Sequence, residues 1–487
     1  MLIQAFIAFG LAIIFVLVAI MKFKMHAFLA LLLGALLMGL VSGLPLDRVA
    51  AELTTGFGNT MGGVGIIIMF GIIFGTILQQ SGMAEAIADM ILRRTGERNA
   101  PLAMALTGYV VSIPVFFDAA FVILFGLIRS ISRKARIPLV TLVVALAIGL
   151  SATHAMVIPT PGPLAVAANM GADIPWMLFW SIIVSLPAAL VGGVLYGKWL
   201  GRRPEYANDF GDAFADEALI AETVQNSEGF AAEDSIDMPH ADSVATAANT
   251  LTPPRTLPSG GLGIFLILIP IILILAGTAV LQFIPEGTFL YQLTTFIGDR
   301  NIALLISAII AYLVLRPYLT SSLTEIIASS AAVAAPILLI TGAGGALGRM
   351  IGQSAIGTDL SGQFHGLAYA TGAGTLLVII GWFISQALRF AQGSTTVALI
   401  TASAILGPIV ADIPGAPVVL IAIAITAGGM GLSMPNDSGF WVVGNLARFD
   451  VKTTFRTWTA GLTIMGITAL LITVVLSLFA GVLPGLH

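Results

Sequence analysis

No cysteine occurs in this chain, so disulfides and thiolate metal ligation are excluded and the redox compartment cannot be read. Charge is scarce as well, with Asp, Glu, Lys and Arg together making up 9% of the 487 residues. The motifs of enzyme chemistry are missing: there is no GxGxxG after a strand pattern, no Walker loop, no HExxH pair and no GxSxG. No cofactor, metal or enzymatic activity is therefore expected, and without a nucleotide-binding loop any work must draw on an ion gradient. Nothing in the sequence suits nucleic acid, and no segments of alternating hydrophobicity point to a membrane barrel.

What remains is hydrocarbon. Hydrophobic residues make up 58% of the chain and the mean hydropathy is +1.02. Many segments approach the roughly 20 apolar residues that cross a bilayer as a helix. The expected class is an all-α polytopic membrane protein, and 53 glycines suit close helix packing within it. The first apolar stretch, Leu2 to Ile20, has no basic segment before it and no small-residue cleavage site after it, so it reads as a retained helix rather than a signal peptide.

The charge that exists is unevenly placed. Residues 202–258 hold 11 of the 25 acids and three of the 21 basic residues, in a stretch rich in Ala, Ser, Thr and Pro. That composition predicts a disordered acidic linker. It divides the chain into a first membrane repeat, 1–201, and a second, 259–487.

Lys and Arg accumulate in short cytoplasmic loops, which allows a topology to be derived. Lys22 and Lys24 put the N-terminus outside; a helix over about 26–43 returns outward, and one over about 61–81 leads in to Arg93, Arg94 and Arg98. Residues 100–128 are long for one span and short for two, and basic clusters flank both ends, the second being Arg129, Arg133, Lys134 and Arg136. The segment reads as a re-entrant hairpin with its tip near "PVFFDAAF", a single tilted helix being the alternative. Residues 138–153 run outward into "SATHAMVIPTPGP", where three prolines and a glycine within five residues break the helix, and 175–200 return, placing the linker in the cytoplasm.

An ungapped offset of 273 lays the second half on the first. It matches "IIMFGIIFGTILQQS" to "LITGAGGALGRMIGQS", the tip "PVFFDAA" to "ALRFAQG", and "PTPGP" to "LSMPN". Each half then holds about five spanning helices and one hairpin. Five is odd, so the halves are expected to be inverted, with both termini outside and broken helices meeting at the midplane, where secondary transporters hold substrate.

Candidate residues follow from what a bilayer makes costly. Asp118 lies in an otherwise apolar tip, as a proton carrier or as a helix cap. His154 is placed inside an apolar span and could relay a proton, or be a satisfied core residue. Arg389 precedes Gln392, Gly393, Ser394 and Thr395 at the second tip; its guanidinium could clamp a carboxylate bidentately, or snorkel to the interface. Thr160, Gly162, Asn436 and Ser438 belong to the two breaks, whose helix N-termini suit anionic groups, and Asp437 is a further candidate for the proton.

The segments "GNTMGGVGIIIMFGIIFGTILQQSG" (58–82), "IPVFFDAAFV" (113–122), "THAMVIPTPGP" (153–163), "TGAGGALGRMI" (341–351), "RFAQGSTTVA" (389–398) and "PNDSGFW" (435–441) resemble the gluconate permease family of the ion transporter superfamily. The resemblance implies proton-coupled import, across a bacterial inner membrane, of a small hydroxylated carboxylate, either a gluconate-like sugar acid or a smaller hydroxy acid. This chain departs from the family pattern in having Asp118 where Glu is common, Thr160-Pro161-Gly162-Pro163 where His-Pro-Gly-Pro is common, and Met434-Pro435-Asn436-Asp437 where His-Val-Asn-Asp is common. Sodium coupling remains the alternative, a passive channel and an intramembrane enzyme stand behind it, and a homo-oligomer is left open.

Overall fold

The computed structural model describes residues 2–96, 99–211, 257–279, 284–354, 373–411, 413, 415–435 and 437–486. Arg98, Asn436 and most of the acidic stretch, 212–256, lie outside the described residues. Among the described residues the regular structure is entirely helical, as expected where backbone polar groups must be satisfied within one segment.

The first half runs through α1 (Leu2–Met21), α2 (Ala27–Val41), the long α3 (Leu46–Gln80), α4 (Met83–Thr95), α5 (Ala100–Val111), α6 (Phe117–Ala135), α7 (Leu139–Met156) and the short α8 (Pro161–Met170). It closes with α9 (Ile174–Ala189), which passes through a π-helical stretch, Leu190–Leu195, into α10 (Tyr196–Gly201). The second half opens with α11 (Gly260–Ala279) and the extra α12 (Phe289–Gly298). It then repeats the order: α13 (Arg300–Leu315), the long α14 (Leu323–Gly352), α15 (Ala373–Gln392), α16 (Thr395–Ala411), α17 (Val418–Gly428) and the short α18 (Ser438–Leu446). Its last helix is also interrupted by π-turns, from α19 (Val451–Thr454) through Phe455–Thr459 into α20 (Ala460–Ser477).

Among the described residues, five helical stretches, some joining consecutive elements as in Leu139–Met170, are long and apolar enough to cross a bilayer, and six if Leu46–Gly63 and Gly65–Gln80, bent by 41°, form one span. The third helix therefore begins well before the expected 61, because the run from Leu46 to Gly63 contains no proline to stop it. Residues 100–128 are two helices divided at Ser112–Phe116 and not one tilted helix. Pro114 withdraws a donor there, and the Ser112 hydroxyl bonds the Val115 carbonyl at 2.9 Å instead.

α7 and α17 are apolar around their whole circumference and lie in the centre of the molecule, with nearly every residue buried. α5 packs along α7 as α15 packs along α17. The long helices α3 and α14 pack on one another, and each also takes the other half's preceding helix, α13 on α3 and α2 on α14. The short helices are exchanged: α8 packs on α16 and α18 packs on α6. The beginning of the acidic stretch is folded against the body. The backbone N–H of Leu139 donates to the Asp209 carbonyl at 2.8 Å, and Arg456 pairs with Glu205 at 2.7 Å.

Candidate functional site

α15 is a helix because its residues, Ala373 to Gln392, hold no proline, and it ends where Gly393 takes a positive φ of 72° that a side chain would resist. Arg389 therefore sits in the last turn of the helix, one turn before the break, and not at the apex itself. In the first half the matching helix stops earlier, because of Pro114. The 273 offset thus aligns the tip residues but not the points where the chain turns.

Arg389 is 2% exposed. Its guanidinium donates to the Gly393 carbonyl and forms an ion pair with Asp437, while its Nε has no partner among the described residues. Snorkelling to an interface is thus ruled out by burial, and the charge is neutralised from within the same half. Asp437 is the N-cap of α18, and its Oδ1 accepts from the Gly439 backbone N–H at 3.1 Å. Its Oδ2 also accepts from the Ser433 hydroxyl and from the Trp458 indole N–H at 3.3 Å. Ser433 in turn accepts from the Trp458 indole at 2.7 Å. This cluster links α15, the second break and the π-turns before α20.

The first tip reaches this cluster from the other half. Phe117, at the start of α6, has its ring 4.7 Å from that of Trp458. Asp118 follows it in the first turn of α6, where the helix N-terminus favours a carboxylate, and it lies close enough to Asp437 and Arg389 for their charges to act on one another. Arg389, Asp118 and Asp437 therefore belong to one electrostatic site.

The first break sits beside the second tip. Gly162 faces Leu399 and Thr396 of α16, near enough that a Cβ there would lie 3.1 Å from the Leu399 side chain. Thr160 is buried and N-terminal to α8, yet its hydroxyl donates to the Val157 carbonyl at 2.6 Å, so it is already engaged locally. Ser394 caps α16 by accepting from the Val397 N–H at 3.4 Å, and Thr395 opens that helix. The His154 ring lies tilted against that of Phe116 at 5.7 Å and, with Pro114, Pro159 and Thr160, lines a small cavity at the first tip. Ser438 opens α18 and is exposed. Asn436 lies outside the described residues.

The long helix α3 makes these approaches possible. Gly75 lies directly against the Pro114 carbonyl at the first tip, where any side chain would collide. No cluster of His, Asp or Glu with metal-ligand geometry occurs among the described residues.

Among the described residues, Gln392 keeps both side-chain amide atoms buried and unpartnered, and so does Gln386, which is 5% exposed. Gln386 was not legible as a candidate from composition, yet its position three residues before Arg389 on one helix face was a usable signal. Ser433 and Trp458 carried no such signal, since a fold was needed to bring them to Asp437. A buried amide without a partner costs on the order of 1–3 kcal/mol, and two of them flank the buried arginine on one helix.

A model of the GntP family permeases matches residues 3–228 and 216–479. The chain is 37% identical over 460 residues to an uncharacterized permease of Haemophilus influenzae, covering 93% of this chain and 88% of that protein. It is 32% identical to a gluconate permease of Pseudomonas aeruginosa, covering 96% of each, and 32% identical to the D-serine transporter DsdX of Escherichia coli, covering 96% and 97%. Among solved structures, the YdaH transporter of Alcanivorax borkumensis superimposes with a TM-score of 0.60 at 14% identity, covering 93% of this chain and 98% of that one, a likeness of fold alone.

Proposed function

The chain belongs to the GntP permease family, a multi-pass membrane protein, and from that membership we propose a secondary transporter that imports a small hydroxylated carboxylate together with protons across a bacterial inner membrane. Relatives named for gluconate and for D-serine bracket the substrate: both are small, carry one carboxylate and offer hydroxyls.

The observation that carries the reading is the buried Arg389–Asp437 pair with Asp118 within reach of its field. One fixed positive charge faces two carboxyl groups. A substrate carboxylate that takes the Arg389 guanidinium adds a third acid to a site of low dielectric, which is costly unless a proton arrives with it. Protonation of Asp437 weakens its hold on Arg389 and frees the guanidinium for the substrate; protonation of Asp118 relieves the remaining repulsion. Substrate and proton then bind together for electrostatic reasons, which is symport. Gln386 and Gln392 supply the unpartnered amides that read hydroxyls or an amino group, with Ser394, Thr395 and Ser438 at the rim, Gly162 leaving room between α8 and α16, and His154 positioned under the first tip to pass the proton.

The repeated order of elements and the exchange of short helices between halves support two inverted repeats of about five spans and one re-entrant hairpin each, the breaks meeting at midplane. In that arrangement the N-terminus and C-terminus lie outside and the acidic stretch lies in the cytoplasm. The test is uptake of labelled gluconate, D-glycerate and D-serine into proteoliposomes. Accumulation driven by an imposed pH gradient is expected; accumulation that needs only a sodium gradient, or mere equilibration without either, overturns proton symport.

A further inference from the structure

Away from the paired charges lies a second cavity, of about 470 Å³, between the first half of α3, the last turns of α14 and the C-terminal ends of α8 and α16. α14 borders it with Gly344, Gly345, Gly348 and Gly352; the first three let Ala404, Thr60 and Pro408 approach its backbone closely, and Gly352 leaves open space. Polar groups converge there from different elements: Asn59 and Thr60 of α3, Asn169 of α8, and Arg349 and Gln353 at the end of α14.

Arg349 holds the charge. Its Nε donates to Glu52 of α3 at 2.6 Å, and Arg48 approaches the same carboxylate at 3.8 Å, so two guanidiniums share one acid. The side chain of Arg349 is 41% exposed. Among the described residues its Nη groups make no bond, and that edge is the one a carboxylate binds bidentately. Among the described residues, the positions at the 273-residue offset hold no such arginine–glutamate pair. The positions 273 residues away from Glu52 and Arg349 are Glu325 and Thr76. Glu325 is closed in a capping box with Ser322, and the Ser330 hydroxyl donates to Thr76 at 3.1 Å, tying the long helices together.

The cavity and the paired charges lie at opposite ends of the same two helices. α8 begins at the Thr160 break and α16 at the second tip, and both end in the cavity wall, about 15 Å away along α8 and about 25 Å along α16 at the rise of an α-helix. We infer that this cavity is an outer capture site for the transported carboxylate, with Arg349 as its anion ligand and Asn59 and Gln353 as hydroxyl partners. The inference rests on the transport reading above and on the topology that starts α3 outside.

The absence of cysteine gives a clean assay. Gln353→Cys and Asn59→Cys should react with a membrane-impermeant maleimide in intact cells, and saturating gluconate or D-glycerate, whichever the unaltered protein takes up, should slow the reaction several-fold. Arg349→Gln should raise the KM for uptake about ten-fold with the maximal rate within about two-fold, Arg349→Lys should recover part of the loss, and Glu52→Gln, which releases Arg349, should lower KM. A purely structural ion pair would instead make the Arg349 and Glu52 variants fail alike. Labelling confined to the cytoplasmic face, labelling indifferent to substrate, or KM unmoved in Arg349→Gln overturns the capture site. If the unaltered protein transports none of the acids, the transport reading fails first and the capture site with it; if it transports one and these variants behave as the parent does, the capture site alone falls.

Discussion

In the first half, the turn at Ser112–Phe116 and the break at Val157–Thr160 meet over a small cavity walled by proline and phenylalanine, with His154 and Thr160 as its polar members. In the second half, the corresponding turn and break are joined by an ion pair, two hydroxyl or indole donors and a helix cap, all converging on Asp437. The two junctions occupy matching places in the order of helices, yet one is apolar and the other densely bonded. A similar order of helices therefore does not imply a similar site. Packed helices enclose the irregular chain at both breaks, and the charged chemistry lies at one of them, with Asp118 as the first half's contribution.

The comparison breaks most severely if the second junction loses its arginine. Arg389→Ala should abolish uptake, at least 100-fold down in rate over KM, and should lower stability by about 3–5 kcal/mol by leaving Asp437 buried and unpaired. The two effects separate in Arg389→Ala/Asp437→Ala, which should regain much of the thermal stability in detergent while remaining inactive; substrate affinity unchanged in Arg389→Ala would refute the clamp.

Asp118→Asn comes next. It removes the first half's charge from the site, so accumulation against a gradient should be lost while exchange of internal for external substrate continues, and the dependence of uptake on external pH should flatten. Full accumulation with an unaltered pH profile would mean that the second junction couples the proton alone.

Gln386→Leu and Gln392→Leu test whether the unpartnered amides serve substrate. Each should raise KM about ten-fold, with stability held or slightly improved since no bond within the protein is lost. A fall in stability without a change in KM would make them structural.

Thr160→Val should do least, under about three-fold in KM, because its hydroxyl is already spent on the Val157 carbonyl and so is poorly placed to read a ligand. A large loss there would restore the first junction to equal standing with the second.

Much of this was legible in the residues. A proline cluster located the break at 158–163 and a lone proline among short polar residues the one at 433–440, and the rarity of charge singled out Asp118, Arg389 and Asp437, because an ionised group in hydrocarbon must have a reason. Periodicity could not show that Arg389 already has a partner: Asp437 is 48 residues away, and the ion pair exists only once α15 and the second break are folded together. Nor could it find Trp458, whose indole reaches Asp437 from the π-turns. The start of α3 was missed because the polar run from Leu46 to Thr60 looks like a loop by hydropathy, although it holds no helix breaker beyond isolated glycines.

The exchange of α8 and α18 between halves bears on how the protein can be divided. Each half lends a short helix to the other's tip helix and receives one in return, so neither half closes its own break. The first 201 residues, emerging alone during synthesis, would hold Asp118 with nothing opposite it and α8 with nothing to rest on. The polypeptide is continuous through the acidic stretch, but assembly is that of two interlocked partners: severing the chain between residues 212 and 256 should leave both pieces clasped, whereas omitting either piece should leave no site at all.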